Sequence, residues 1–154
     1  MATMAQICEF FNSGRIALVG VSRNAKDFTR VLFREFLARG YDAVPVHPGV
    51  GDIEGHPCFA RIQEITPPVE AALLLTAPQV TIEVVRDCAA AGVTRIWMYR
   101  GTGAGAVSRE ALAYCQANGI QVVAGECPMM FFPDAGFPHR FHGFLRRITG
   151  RYPQ

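Results

Sequence analysis

The side chains best suited to chemistry gather at 20–30. Gly20, Val21 and Ser22 lead into Arg23, Lys26 and Arg30. A glycine lets a ligand approach the backbone, a serine supplies a hydroxyl, and three cations so close together suit an anion. If a helix starts within this segment, its first N–H groups add a positive end, and the combination fits a phosphate or pyrophosphate. The plainer reading is a solvated turn. The segment is not Gly-x-Gly-x-x-Gly, and the chain has no Walker Gly-Lys-Ser/Thr. A dinucleotide site would also want an acid at the end of the second strand to hold a ribose. His47 and Pro48 stand there instead, which weighs against NAD(P).

Other groups offer less. Gly101, Gly103 and Ala106 form a Gly-x-Gly-x-x-Ala match behind Arg100, but in the wrong unit for a dinucleotide fingerprint. The segment reads as a flexible loop over the far end of a ligand, or as a bland turn. Thr76, Ala77 and Pro78 end an apolar run with small residues, and their backbone could lie against a thin ligand or simply turn into a helix. Cys127 before Pro128 could present a thiol, although a free cysteine is more often an inert core residue. His139 and His142 are three apart without a clear third ligand, so no metal site is expected. No Gly-x-Ser-x-Gly elbow is present, and no catalytic set is assembled.

These segments need a scaffold, and the apolar pattern supplies one. Half of the 154 residues are hydrophobic and 18% are charged, with 15 Gly and 10 Pro scattered between apolar runs. That composition weighs against disorder, and a membrane span is excluded because no apolar stretch approaches about 20 residues. Strands are predicted at 15–21, 41–46, 70–75, 94–98 and 121–124. Helices are predicted at 28–39, 79–91 and 108–118, each followed by a glycine, with a leading helix at 2–11. The alternation is that of βαβ units in an α/β protein. The expected fold is a three-layer, Rossmann-like, doubly wound, mostly parallel sheet of about five strands, all in one domain over 1–154. Ligands then belong at the carboxyl ends of the strands.

Beyond Asp134 the chain carries +4 from Arg140, Arg146, Arg147 and Arg151, while the preceding part carries −2. A basic amphipathic C-terminal helix is predicted at 138–148. The aromatic series Phe131, Phe132, Phe137, Phe141 and Phe144 reads as core or as a dimer surface, and the tail at 131–154 as the place where a homodimer or a partner subunit would attach. A single lysine, Lys26, and a net charge of +2 argue against nucleic acid. Five widely spaced cysteines (Cys8, Cys58, Cys88, Cys115, Cys127) read as free thiols in a cytoplasmic protein.

Gly20-Val21-Ser22, Arg30-Val31, Val46-His47-Pro48, Thr76-Ala77-Pro78 and Cys127 follow one another in an order and spacing that resembles the coenzyme A-binding domain. The likeness is to the small free-standing CoA-binding proteins of bacteria and archaea, and more distantly to the N-terminal domain of the succinyl-CoA synthetase alpha subunit. It runs over about 14–129, and the succession of motifs carries it. The resemblance implies that Gly20, Ser22, Arg23 and Arg30 hold CoA phosphates, that Val46 to Pro48 border the adenosine, and that Ala77 and Pro78 flank the pantetheine. The family usually has Asn-Pro where this chain has His47-Pro48. The synthetase's phosphorylated histidine belongs to a second domain.

The function expected is therefore binding of coenzyme A or an acyl-CoA, as a carrier, a sensor or an accessory subunit without catalysis of its own. The alternative is an NAD(P)-binding redox protein, or a transferase using Cys127 in the same crevice.

Overall fold

The computed structural model describes residues 2–132. The chain enters through α1 (Met4–Phe11), whose start is fixed by a capping box in which the Thr3 hydroxyl accepts the Gln6 N–H and the Gln6 side chain accepts the Thr3 N–H. Then β1 (Ile16–Val19) and α2 (Phe28–Ala38) follow, with Asp27 accepting the Thr29 N–H as the cap of α2. The remaining main elements are β2 (Ala43–Val46), β5 (Ala71–Leu74), α3 (Pro78–Ala90), β6 (Arg95–Tyr99), α4 (Arg109–Ala117) and β7 (Gln121–Glu126). Between β2 and β5 stands a small antiparallel hairpin of β3 (Asp52–Ile53) and β4 (His56–Pro57).

The five main strands are parallel, in the order β2-β1-β5-β6-β7. All residues of β1, β2 and β5 are buried, which explains why they read as unbroken apolar runs rather than alternating ones. Helices cover both faces. On one face α1 and α2 bury Ile7, Phe10, Leu32, Phe33 and Phe36 against Trp97, and on the other α3 and α4 bury Val85, Cys88, Ala111 and Cys115. Each large apolar side chain so buried contributes about 1.5–3 kcal/mol. The α/β, doubly wound, Rossmann-like architecture is the one the sequence predicts.

Phe131 and Phe132 join the first of these faces. Phe132 is buried, its ring 5.2 Å from Phe36 and 4.2 Å from the Arg39 guanidinium carbon. Both rings belong to the core reading of the aromatic series. The predicted basic helix at 138–148, with Phe137, Phe141, Phe144, His139 and His142, lies outside the described residues. No helix among the described residues is long and apolar enough to cross a membrane.

The strand order fixes where a site can lie. From β1 the chain moves outward to β2, then returns past β1 to β5, so the connections leaving β1 and β5 diverge to opposite faces. In open sheets of this kind such a divergence is where a crevice forms, at the carboxyl ends of the strands.

Candidate functional site

Gly20 directly follows β1 at that point. Its N–H donates to the Val46 carbonyl at 2.9 Å, and beside it the Leu75 N–H donates to the Val19 carbonyl at 2.8 Å, so the ends of β1, β2 and β5 meet here. With φ at +99°, and a β-carbon that would stand 3.1 Å from the Leu75 carbonyl oxygen, this position takes glycine alone without strain.

The following loop is built from its own polar groups. The Ser22 N–H donates to the Thr29 hydroxyl at 2.9 Å, the Asn24 N–H to the Ser22 hydroxyl at 3.0 Å, and the Lys26 N–H to the Asn24 carboxamide at 3.0 Å. Val21 is buried beneath. The N–H groups of Arg23 and Ala25 have no partner among the described residues, and the exposed Arg23 and Lys26 side chains meet no carboxylate among them. Two cations and two amides of this exposed loop thus have no protein partner among the described residues.

Arg30 is placed differently. It lies behind the loop, its side chain 12% exposed, where Nε donates to Glu54 Oε1 at 3.0 Å and Nη2 forms a close ion pair with the same oxygen. Its Nη1 donates to the carbonyls of Ser22 at 3.3 Å and Arg23 at 3.2 Å. Arg34 reaches Glu54 Oε1 as well, at 2.7 Å. These guanidinium hydrogen bonds, Arg34's first and then Arg30's, hold the Glu54 carboxyl down to about 2.

At the end of β2, the His47 N–H is taken by the Phe59 carbonyl at 2.9 Å, while Nδ1 of its ring is buried without a partner among the described residues. Pro48 is exposed beyond it, and Val46 is buried. Beneath them burial pushes the Cys58 thiol up.

After β5, Thr76, Ala77 and Pro78 form the second wall. Ala77 is exposed as the N-cap of α3 and Pro78 opens the helix, where a missing N–H is harmless. The Thr76 hydroxyl stands 3.1 Å from that of Thr81, which is fully buried and donates to the Ala106 carbonyl at 2.8 Å. The wall is thereby tied to the glycine-rich loop after β6.

That loop and Cys127 stand farther along the sheet, at the ends of β6 and β7. Arg100 is exposed, its N–H directed at the Glu126 carbonyl. Gly101 packs on the Tyr99 hydroxyl, and Gly105, at φ +58°, leaves no room for a β-carbon against the Tyr99 carbonyl. Phe28, exposed at the start of α2, stacks on Tyr99 with 5.5 Å between ring centres. Burial, with a contribution from Cys127, pushes the Tyr99 phenol up to about 12, and burial likewise raises the Cys127 thiol. Neither group is activated as a nucleophile or base near neutral pH.

Of the predicted residues, Gly20, Val21, Ser22, Arg23, Lys26, Val46, His47, Pro48, Thr76, Ala77 and Pro78 gather at the ends of three adjacent strands. Arg30 stands behind them, and Arg100, Gly101 and Cys127 stand to one side. Sequence reasoning missed Glu54 and Thr81. Among the described residues no group of three or more His, Cys, Asp or Glu could hold a metal ion.

A family model described as a CoA binding domain matches residues 14–133. The chain belongs to this CoA-binding family. The match takes in Phe131 and Phe132, a little farther than the succession of motifs runs. No curated protein matches the chain. Among solved structures, a hypothetical protein from Pyrococcus horikoshii OT3 is 27% identical, with a TM-score of 0.76 over 82% of this chain and 87% of its own. A conserved hypothetical protein from Pyrococcus furiosus is also 27% identical, with a TM-score of 0.67 over 73% of this chain and 94% of its own. The dinucleotide-forming acetyl-coenzyme A synthetase 1 of Candidatus Korarchaeum cryptofilum is 22% identical, with a TM-score of 0.66 over 75% of this chain and 26% of that one. That likeness shows a shared fold. Within the CoA-binding family, then, this chain carries an exposed basic loop after β1, at the switch point of its sheet.

Proposed function

We propose that the protein binds coenzyme A, free or acylated, in the crevice at the ends of β1, β2 and β5, and acts as a carrier, sensor or accessory subunit. The observation that carries this reading is the loop after β1: the Arg23 and Lys26 cations and the Arg23 and Ala25 amides have no partner among the described residues and stand beside the start of α2. Phosphates are the ligand groups that such a set satisfies best. Ser22 keeps a hydroxyl hydrogen to donate, since the Asn24 contact uses only its oxygen.

The other walls fit the rest of the ligand. The unpartnered Nδ1 of His47 supports an adenosine contact beside Val46 and Pro48. The close approach of Gly20 to the Leu75 and Thr76 backbone, with the small Ala77 beyond it, suits the pantetheine. Arg100, Gly101 and Cys127 lie on the side where the thiol or acyl end would extend. When bound, CoA supplies a thiol for acyl carriage; this chain binds and orients it.

Native mass spectrometry and thermal melting test the reading together. CoA should be retained or should raise the melting temperature, because a ligand bound only to the folded state stabilises it by mass action. NADH should do so less. Equal shifts with both, or a shift with NADH alone, would overturn the CoA assignment in favour of a nicotinamide nucleotide.

A further inference from the structure

Glu54 stands in an unusual backbone setting. It occupies the turn between β3 and β4 with φ at +55°, alone among the described non-glycine residues in having a positive φ. A side chain that is not glycine, asparagine or aspartate in that conformation strains the turn, so the surrounding structure must hold it there. What holds it is a pair of guanidinia. Arg30 and Arg34, one turn apart on α2, both donate to the single oxygen Oε1. The carboxylate sits at the end of a hairpin, not on the loop that faces a ligand.

Arg30 carries the connection forward. With Nε and Nη2 held by Glu54, its Nη1 is aimed at the carbonyls of Ser22 and Arg23. The peptide between Ser22 and Arg23 is trans, since the cis bond of the described chain is Thr66-Pro67. In a trans peptide the C=O and the next N–H point in opposite directions. Drawing the Ser22 carbonyl back toward Arg30 therefore turns the Arg23 N–H away from it, to the side where no protein group meets it.

We propose that Glu54 is a positioning residue for anion binding: by clamping Arg30 it orients the Ser22–Arg23 peptide so that the Arg23 N–H is presented to a diphosphate. The Glu54 carboxylate is charged at neutral pH, so the clamp is closed in the ligand-free protein. Two arginines against one carboxylate also leave one positive charge behind the loop, which adds to Arg23 and Lys26 in front. In this arrangement Arg30 acts through the loop rather than as a direct phosphate ligand. The choice of a diphosphate rests on the CoA reading of the crevice; the clamp itself does not.

The test has one arm without ligand and one with. In the ligand-free protein, Glu54→Gln should move the backbone amide resonances of Arg23 and Asn24 and leave those of the β-sheet in place. Arg34→Ala, which spares the contact of Arg30 with Glu54, should move them little. Titration with pyrophosphate and with CoA should then show both binding about tenfold more weakly to Glu54→Gln, the loss of roughly one charge-assisted hydrogen bond. If Glu54→Gln does not fold, Arg30→Lys carries the same test, because a lysine lacks the planar fork needed to hold a carboxylate and two carbonyls together. Unchanged loop resonances or unchanged affinity would overturn the proposal. Tighter binding would overturn it too, showing Glu54 to be a competitor for the arginines. Pyrophosphate binding that depends on Glu54 in a protein that ignores CoA would sink the CoA reading and leave the clamp standing, whereas a wild-type protein that binds neither would end both.

Discussion

The hydroxyl of Thr81, with no exposed surface, donates across 2.8 Å to the carbonyl of Ala106 and so joins the first turn of α3 to the far end of the glycine-rich loop. The same oxygen is 3.1 Å from the Thr76 hydroxyl. One small polar node thus links the wall after β5 to the loop after β6. Its energetics are asymmetric, because a buried carbonyl that loses its donor has no water to replace it.

Thr81→Val should accordingly destabilise the protein by about 1–3 kcal/mol, the desolvation cost of an orphaned buried acceptor. Thr81→Ser should recover much of the loss. Urea unfolding of the two variants checks the energies, and amide exchange of Ala106, whose N–H donates to the Tyr99 carbonyl at 2.7 Å, checks that the loop is what loosens. Valine and wild type of equal stability would show that the node contributes nothing.

A second prediction concerns Gly20. Gly20→Ala must place a β-carbon against the Leu75 backbone, at 3.1 Å from its oxygen and 3.2 Å from its carbonyl carbon, in a conformation with φ at +99°. Gly40→Ala has a similar φ of +80° but open space around it. Gly40→Ala should cost about 1 kcal/mol from conformation alone, and Gly20→Ala distinctly more, because two strand ends would have to part. Unfolding curves for both variants decide it; equal losses would mean that the close approach is readily relieved.

Most of the scaffold was legible because it is set by local pattern. The apolar runs at 15–21, 41–46 and 70–75 contain β1, β2 and β5, and the glycines at 40, 92 and 119 follow the ends of α2, α3 and α4. The hairpin at 52–57 is not legible in the sequence, since two-residue strands have no periodicity to detect. Glu54 could not be found by spacing either. It is 24 residues from Arg30 and becomes its neighbour only when the hairpin folds over α2. The signal that was present, an acid directly before Gly55 within a run of turn-forming residues, marks a turn but not its partner. By its position beside the loop Arg30 belongs with Arg23 and Lys26, whereas its side chain is turned back toward Glu54.

Acid should weaken the Glu54 clamp in a defined window. The carboxyl is lowered from the usual 4.5 to about 2 by its arginine partners, so its stabilising contribution is complete above about pH 4.5 and fades as pH falls toward about 2. The difference in unfolding free energy between wild type and Glu54→Gln should be constant from about pH 7 to 5 and shrink below that. Taking the difference cancels the other titrating groups common to both proteins. A gap that stays constant down to pH 2.5 would mean that the carboxylate's charge plays no part.

Thiol labelling should divide the cysteines unequally. Cys8 is exposed, whereas Cys58, Cys88, Cys115 and Cys127 are buried, and burial raises all four of these thiols. One thiol per chain should react quickly with a disulfide reagent at neutral pH, and four only on unfolding. Mass mapping that finds Cys127 modified as fast as Cys8 would reopen it as a reactive group at the end of β7.

The last prediction concerns the cations at the crevice mouth. Arg23 and Lys26 are exposed on the loop after β1, without a carboxylate partner among the described residues, while Arg30 is engaged behind it. A hydrogen bond to a charged group contributes roughly 1.5–3 kcal/mol, so removing one should weaken CoA binding by about tenfold or more. Arg23→Ala and Lys26→Ala should each show this loss with melting temperatures close to wild type, because exposed side chains without partners contribute little to folding. Arg30→Ala should differ from both: by releasing Glu54 and the Ser22 and Arg23 carbonyls it should lower stability as well as affinity. Added salt should narrow the gap between wild type and the two loop variants, since it screens exposed charges more than the largely covered ion pair of Arg30 with Glu54. Calorimetric titration with CoA at low and moderate salt measures all three variants on one scale. Wild-type affinity in both Arg23→Ala and Lys26→Ala would place the phosphates away from this loop.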